Sequence, residues 1–277
     1  MSTGEDDGED LTRKQRREQA RSQRKALEEA EATNLQRRKR LIQLGSVAGV
    51  VVVIIVVILA ATSGGGGKTG LEKQSANSGK PAKVVTEVTS LLGGIPQNGN
   101  TLGSAKAPVT MQYFGDLQCP ICKDFTLGAL PTLIQKYVRT GKLRIEYRNL
   151  QTATREPETF RTQQVAAMAA GKQAKGWDYI ELFYHQQGEE NTEYVTEQYL
   201  QTLAKQIPGL SLGSWTAARN DSAFTNTITS DSQAANNAGF TGTPSFLLGK
   251  TGGPSSKLEY SSLTDPSSFE SAIQKLL

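Results

Sequence analysis

The only two cysteines of the chain stand together as Cys119-Pro120-Ile121-Cys122. Before them, Val109 to Phe114 is a β-rich run that opens after Pro108. After them, Phe125, Ala129, Leu130, Leu133, Ile134 and Tyr137 recur at spacings of three and four, the period of a helix with one buried face. The pair therefore occupies a strand-to-helix junction. There the unpaired N–H groups and the dipole of the helix favour negative charge on the first cysteine. The thiolate is the nucleophilic form, so a depressed pKa raises the reactive population. Cys122, one turn along, is placed to attack a mixed disulfide on Cys119 and release its partner. Pro120 suits the first helical turn, where its missing N–H costs little.

Other uses of the pair are weaker. A structural disulfide across so short a loop stabilises little. A metal centre needs ligands that a chain with two Cys and one His hardly has. Haem attachment requires a histidine after the second cysteine, and residue 123 is Lys. A net charge of +4 is too mild and too scattered to imply nucleic acid. No bound cofactor or metal is expected. His185, the single histidine, is expected to be an ordinary helix residue, and Trp177, Phe183 and Tyr184 are expected to be packing residues.

The 277 residues fall into segments of contrasting composition. Residues 1–43 carry 11 basic and 9 acidic side chains and no aromatic one, too little apolar surface to fold alone. They are expected to be a solvated tail or helix. Leu44 to Ala61 has no charge and, as a helix, would span about 27 Å, close to the hydrocarbon core of a bilayer. Arg37, Arg38, Lys39 and Arg40 precede it, so the positive-inside rule puts the N-terminus in the cytoplasm and the rest outside. A cleaved signal peptide is the competing reading. The stretch 62–83 is rich in Gly, Ser and Lys and reads as a flexible tether.

Residues 84–277 have globular patterning. Pro131 should kink the helix after Cys122, and Gly141 should end it. Leu143 to Tyr147 alternates as a strand. A mostly helical stretch runs from about 157 to 238. Ser245–Gly249 and Leu258–Ser261 read as strands, and Asp265 as the cap of a last helix. The order is β-α-β, a helical block, then β-β-α: an α/β layer fold with a helical insertion. In Thr241-Gly242-Thr243-Pro244-Ser245-Phe246 a proline opens a strand-like run, where it can be a simple edge or turn residue.

Residues 98–126, with Ala107-Pro108-Val109-Thr110 leading into Phe114-Gly115-Asp116-Leu117-Gln118-Cys119-Pro120-Ile121-Cys122-Lys123, resemble the DsbA family of thioredoxin-like thiol–disulfide oxidoreductases. Gly242-Thr243-Pro244-Ser245-Phe246 resembles the cis-proline loop of that family, and the helical block resembles its inserted helical domain. The resemblance covers about 180 of the 277 residues. It is closest to the membrane-anchored forms of Gram-positive bacteria, actinobacteria in particular.

The resemblance implies a thioredoxin-like fold and site roles. Cys119 would attack, with Pro120 and Ile121 flanking it and Cys122 resolving. Pro244 would be cis, and the backbone of Thr243 would pair with extended substrate. The implied partners are exported thiol-containing proteins and a quinone-linked membrane protein that reoxidises the dithiol. Oxidation of substrate is the favoured direction, with reduction or isomerisation, or a non-catalytic binding module, as alternatives. No dimerisation segment is visible before residue 84, so a monomer is expected. One position departs from the pattern. Where related folds carry a buried acid, six residues before the first cysteine, this chain has Tyr113. Asp116 or a water is the candidate to move the proton instead, with a loop or helix-capping role as the alternative for Asp116.

Overall fold

The computed structural model describes residues 79–190 and 192–277. The charged segment 1–43, the apolar run 44–61 and residues 62–78 lie outside the described residues. Among the described residues no helix is long and apolar enough to cross a membrane.

A six-stranded mixed sheet forms the centre, in the order β1-β2-β4-β3-β5-β6. The strands are β1 (Gln97–Asn98), β2 (Thr101–Leu102), β3 (Val109–Gly115), β4 (Leu143–Asn149), β5 (Ser245–Lys250) and β6 (Ser255–Lys257). Strands β3 and β4 pair in parallel, from Val109 with Leu143 to Gly115 with Asn149. Strand β5 runs antiparallel to β3, with Phe114 opposite Ser245. The alternation expected of β4 is present: Leu143, Ile145, Tyr147 and Asn149 are buried and the residues between them half-buried.

Nine α-helices accompany the sheet among the described residues: α1 (Gly79–Leu92), α2 (Pro120–Leu127), α3 (Ala129–Leu133), α4 (Pro157–Gly171), α5 (Gly176–His185), α6 (Glu197–Gln206), α7 (Leu212–Ala218), α8 (Ala223–Asn237) and α9 (Ser267–Gln274), and a π-helical turn, Ile134–Val138, continues α3. Helices α4 to α8 form the insertion between β4 and β5. Helix α1 begins at Gly79, so the last residues of the expected tether are helical. Its C-terminal carbonyls are held by the Arg139 guanidinium, which donates to Leu91 O at 2.7 Å and Gly93 O at 2.9 Å. That contact meets the acceptor deficit of a helix end.

One core joins sheet and insertion. Tyr113 of β3 packs on Phe125 of α2 and Phe246 of β5, with ring centroids 5.0 and 5.3 Å apart. Phe246 continues to Phe269 of α9 at 5.1 Å. Trp177 and Tyr184 of α5, both fully buried, pack from the insertion side, and Tyr147 meets Trp177 edge-on at 6.4 Å. Each such ring contributes roughly 1.5–3 kcal/mol by leaving water. On the other sheet face, Phe114 packs with Ala235 of α8 and with Phe240.

Three local expectations need correction. The helix after the cysteines breaks at Gly128, not at Pro131. Pro131 is the third residue of α3, where its N–H would have had no intrahelical acceptor, so it is tolerated. Gly128 instead sits where any side chain would run into the backbone of Leu263 and Thr264, and Ala129 N–H donates to Leu263 O at 3.1 Å. The second C-terminal strand covers Ser255–Lys257, not Leu258–Ser261. Leu258 adds only one further bond, N–H to Phe246 O at 3.0 Å, before the chain leaves the sheet. Asp265 does accept from Ser267 N–H at 2.9 Å, but one residue ahead of the formal cap at Pro266. The strands β1 and β2 were not anticipated. With two residues each, they have no periodicity to detect.

A β-carbon at Gly128 would lie 2.5 Å from Asp124 O and 2.8 Å from Thr264 Cα. Gly128→Ala is therefore expected to destabilise the fold by about 1–3 kcal/mol through overpacking, read as a lower denaturant midpoint with an unchanged slope.

Candidate active site

Both cysteines are buried, Cys119 at 4% and Cys122 at 0% exposure, but their hydrogen-bonding surroundings differ within one helical turn. Cys119 is the N-cap of α2 and Pro120 its first residue. The Cys119 sulfur accepts the Cys122 N–H at 3.3 Å, the role a Ser or Asp side chain usually fills at a cap. It also donates to Thr243 O at 3.4 Å, which ties it to the loop before β5. Both thiols are free. Cys122 is fully buried, whereas the neighbouring Ile121 is 48% exposed. The lip of the site is thus apolar and open, and the second sulfur lies beneath it.

The electrostatics separate the pair. The Cys119 pKa is lowered from 9.0 to about 7. The largest cause is the hydrogen bond from the Cys122 side chain. Burial opposes it, and the Thr243 side chain and the N–H groups of Cys122 and Ile121 add to it. Burial pushes Cys122 well above its ordinary value, and its hydrogen bond to Cys119 adds to that. At neutral pH Cys119 is about half thiolate, against roughly one part in a hundred for an unperturbed group at 9.0.

Thr243 and Pro244 stand against this helix terminus as the resemblance implies, and the Thr243–Pro244 peptide is cis. Pro244 is buried and Thr243 half-buried. The Tyr260 hydroxyl donates to Pro244 O at 3.3 Å. Two grooves are lined by residues next to Cys119 in the chain or in contact with it. One is lined by Gly242, Thr243, Pro244, Lys257 and Tyr260, the other by Gln118, Ala153, Thr154, Glu156 and Thr196.

Asp116 departs from its expected use. Its carboxylate is fully buried and occupied by structural donors. Oδ2 accepts the N–H groups of Thr152, Ala153 and Thr154 at 3.0, 3.0 and 2.8 Å. Oδ1 accepts Gln118 N–H at 3.1 Å, Gln163 Nε2 at 3.2 Å and the Thr154 hydroxyl. With its lone pairs committed to six donors, the group is a clamp on loop 150–156. The geometry favours that alternative over proton transfer.

The space beneath Cys122 belongs to hydroxyls. Tyr113 Oη donates to Cys122 O at 3.3 Å and lies 3.3 Å from both Thr126 Oγ1 and Tyr184 Oη. Tyr184 Oη is 3.2 Å from Tyr147 Oη and donates to Asp116 O at 3.1 Å. Burial raises the pKa of all three tyrosines, so they act as neutral hydroxyls. Tyr184, expected as packing, therefore also carries a polar contact under the site. His185, at the end of α5, has its pKa lowered by burial and makes no contact with the sulfurs.

Two site residues were not legible beforehand. Gln187 donates to Leu117 O at 2.8 Å and to Cys119 O at 3.1 Å, pinning the turn before α2 to the insertion. Thr152 is hydrogen bonded through its hydroxyl to that of Thr243. Neither belongs to a motif, and each is about 35 or more residues from its partners in sequence.

Alkylation of the reduced chain is expected to modify one thiol, Cys119, with a rate rising through a midpoint at about pH 7. Cys122 should react only after unfolding. Mass spectrometry of the alkylated peptide checks both.

Comparison with known proteins agrees with this geometry. The thioredoxin family profile matches residues 97–266. A probable disulfide bond formation protein D of Bacillus cereus is 25% identical over 151 residues, covering 53% of this chain and 68% of that protein. The disulfide bond formation protein D of Bacillus subtilis is 29% identical over 109 residues, covering 38% and 46%. Among solved structures, oxidised BdbD of Bacillus subtilis superposes with a TM-score of 0.54 at 22% identity, over 66% of this chain and 96% of that one. Wolbachia pipientis α-DsbA1 gives 0.53 at 21%, over 67% and 92%. A cap sulfur shared between Cys122 and a cis-proline loop, on a fold these proteins have in common, places the chain in the thioredoxin family as a DsbA-like thiol–disulfide oxidoreductase.

Proposed function

We propose that the chain is a membrane-anchored, extracytoplasmic oxidase that introduces disulfides into exported proteins through Cys119 and Cys122. The observation that carries exchange through this pair, in either direction, is the opposed protonation of the two sulfurs, about 7 for Cys119 and well above ordinary for Cys122. A substrate thiolate attacks Cys119 of the Cys119–Cys122 disulfide. That S–S bond breaks, a mixed disulfide forms on Cys119, and Cys122 departs as a thiolate that takes up a proton. A second substrate thiolate then attacks the substrate sulfur of the mixed disulfide, and Cys119 departs. The substrate loses two electrons and the enzyme dithiol holds them. A low pKa makes Cys119 the better leaving group of this second step.

Thr243 and Pro244 would hold the extended substrate by strand-like pairing. The names of the Bacillus relatives support the oxidative direction. A quinone-linked membrane protein would withdraw the electrons. Segment 44–61 would be the anchor, with 1–43 in the cytoplasm and the stretch up to Gly79 as a tether. The tether would raise the effective concentration of one domain for both exported chains and the membrane partner. A monomer suffices for this cycle.

One observation favours a second reading. A thiolate pKa of about 7 is also the value of thioredoxin, a reductant. The reduction potential decides. Equilibration of the chain with glutathione separates the two: a value of about −120 mV, that of a strong oxidant, supports the oxidase direction, and a value of about −270 mV, that of thioredoxin, makes the chain a reductase. Cys122→Ser is expected to trap mixed disulfides with exported proteins, and Cys119→Ser to abolish exchange. In intact cells, a membrane-impermeant maleimide should label reduced Cys119. Labelling only after lysis would refute the extracytoplasmic placement.

A further inference from the structure

The turn that carries Cys119 is closed from within and braced from outside. Cys119 N–H donates to Asp116 O at 2.9 Å, and Gln118 N–H donates to Asp116 Oδ1 at 3.1 Å. The brace is Gln187, two residues beyond the end of α5. Its Nε2 donates to Leu117 O at 2.8 Å and to Cys119 O at 3.1 Å.

A side-chain amide has two hydrogens, so each carbonyl takes one. The peptide between Leu117 and Gln118 is thereby held at both edges, its oxygen by Gln187 and its N–H by Asp116. It cannot turn over without losing both bonds. Leu117 is fully buried, and among the described residues no other donor meets its carbonyl. Without Gln187 a buried acceptor would stand unpaired, which favours rotation of the peptide toward another donor. The second carbonyl belongs to the cap residue itself. Cys119 has an extended ψ of 118°, and its carbonyl also accepts Lys123 N–H at 3.2 Å. The backbone fixed in this way sets where the side chain points. The Cys119 sulfur then meets Cys122 N–H at 3.3 Å and Thr243 O at 3.4 Å.

We propose that Gln187 is a positioning residue of the redox centre: its one amide, shared between Leu117 O and Cys119 O, fixes the turn that aims the Cys119 sulfur. The helical insertion thus takes part in exchange through a single side chain, which touches neither sulfur and acts through the backbone. The assignment deepens the functional reading above and rests on Cys119 as the exchanging sulfur.

Gln187→Met tests it, because methionine keeps the length of the side chain and has no hydrogen to donate. Oxidation of a dithiol peptide by the disulfide form is expected to slow about tenfold. The pH midpoint for alkylation of reduced Cys119 should move above its value of about 7. The substitution brings no charge, so Cys122 and Tyr260, the titratable neighbours of Cys119, are left as they are. Gln187→Asn keeps the polarity but is one methylene too short to reach both carbonyls, and should shift both readouts the same way. Gln186→Met is the control. The Gln186 amide donates to Gln206 Oε1 at 2.8 Å, within the insertion, so its loss should lower the denaturant midpoint and leave the rate and the pH midpoint unchanged. An unchanged rate or pH midpoint in both Gln187 variants, or the same shifts in Gln186→Met, overturns the proposal. Failure of the functional reading looks different: the parent chain itself would then show no Cys119–Cys122 couple.

Discussion

The register of three strands is the constraint from which the site follows. β3 and β4 run in parallel, and β5 runs against β3. The C-terminal ends of β3 and β4 and the N-terminal end of β5 must therefore emerge at one end of the sheet. Gly115, Asn149 and Ser245 mark these three exits. The chain that follows Gly115 carries Asp116 and Cys119, the chain after Asn149 carries Thr152, and the chain before Ser245 carries Thr243 and Pro244. Residues as far apart as Asp116 and Pro244, 128 positions in sequence, are brought to one place by backbone pairing alone. Side chains then fasten the loops to each other, with a buried carboxylate reaching three successive amides of its neighbour.

The chemistry depends on an asymmetry that one helical turn creates. The first sulfur stands where backbone N–H groups converge and stabilise negative charge. The second lies in the core beneath it, where burial penalises charge. Neither environment requires a metal or an acidic side chain. The tyrosine at position 113 is consistent with this economy: its hydroxyl satisfies a buried carbonyl beside the second sulfur where a carboxylate would carry a desolvation penalty.

How much of this was legible depended on the range of the interaction. Cys119 and Cys122 were legible because their spacing, a strand before and a helix after are all local signals. The helical block was legible because its apolar residues repeat at spacings of three and four, as in Val165, Met168 and Ala169 and again in Leu200, Leu203 and Ile207. The break at Gly128 was not, because its cause lies in Leu263 and Thr264, more than a hundred residues on. The pattern suggested the nearby Pro131 instead, and position within the turn made that proline harmless. Asp116 was visible as a candidate, but its role was set by donors from residues 152–154 and 163 that no local pattern announces. Thr243 and Pro244 gained meaning from resemblance. Thr152 and Gln187 had neither motif nor period, and only tertiary structure brings them to the cis-proline loop and to the turn before α2.

The insertion has an architectural property of its own. The chain leaves the sheet after Asn149 and rejoins it at Ser245, and both points lie at the same end, one on either side of the cysteines. Everything between them is a single excursion with both feet at the reactive rim. Its helices can lengthen, shorten or change surface while the strands that set the register remain untouched. What stands over the sulfur can thus diversify separately from the strands that bring the sulfur to the rim. Selection on that surface has a part of the molecule on which to act without altering the strand register.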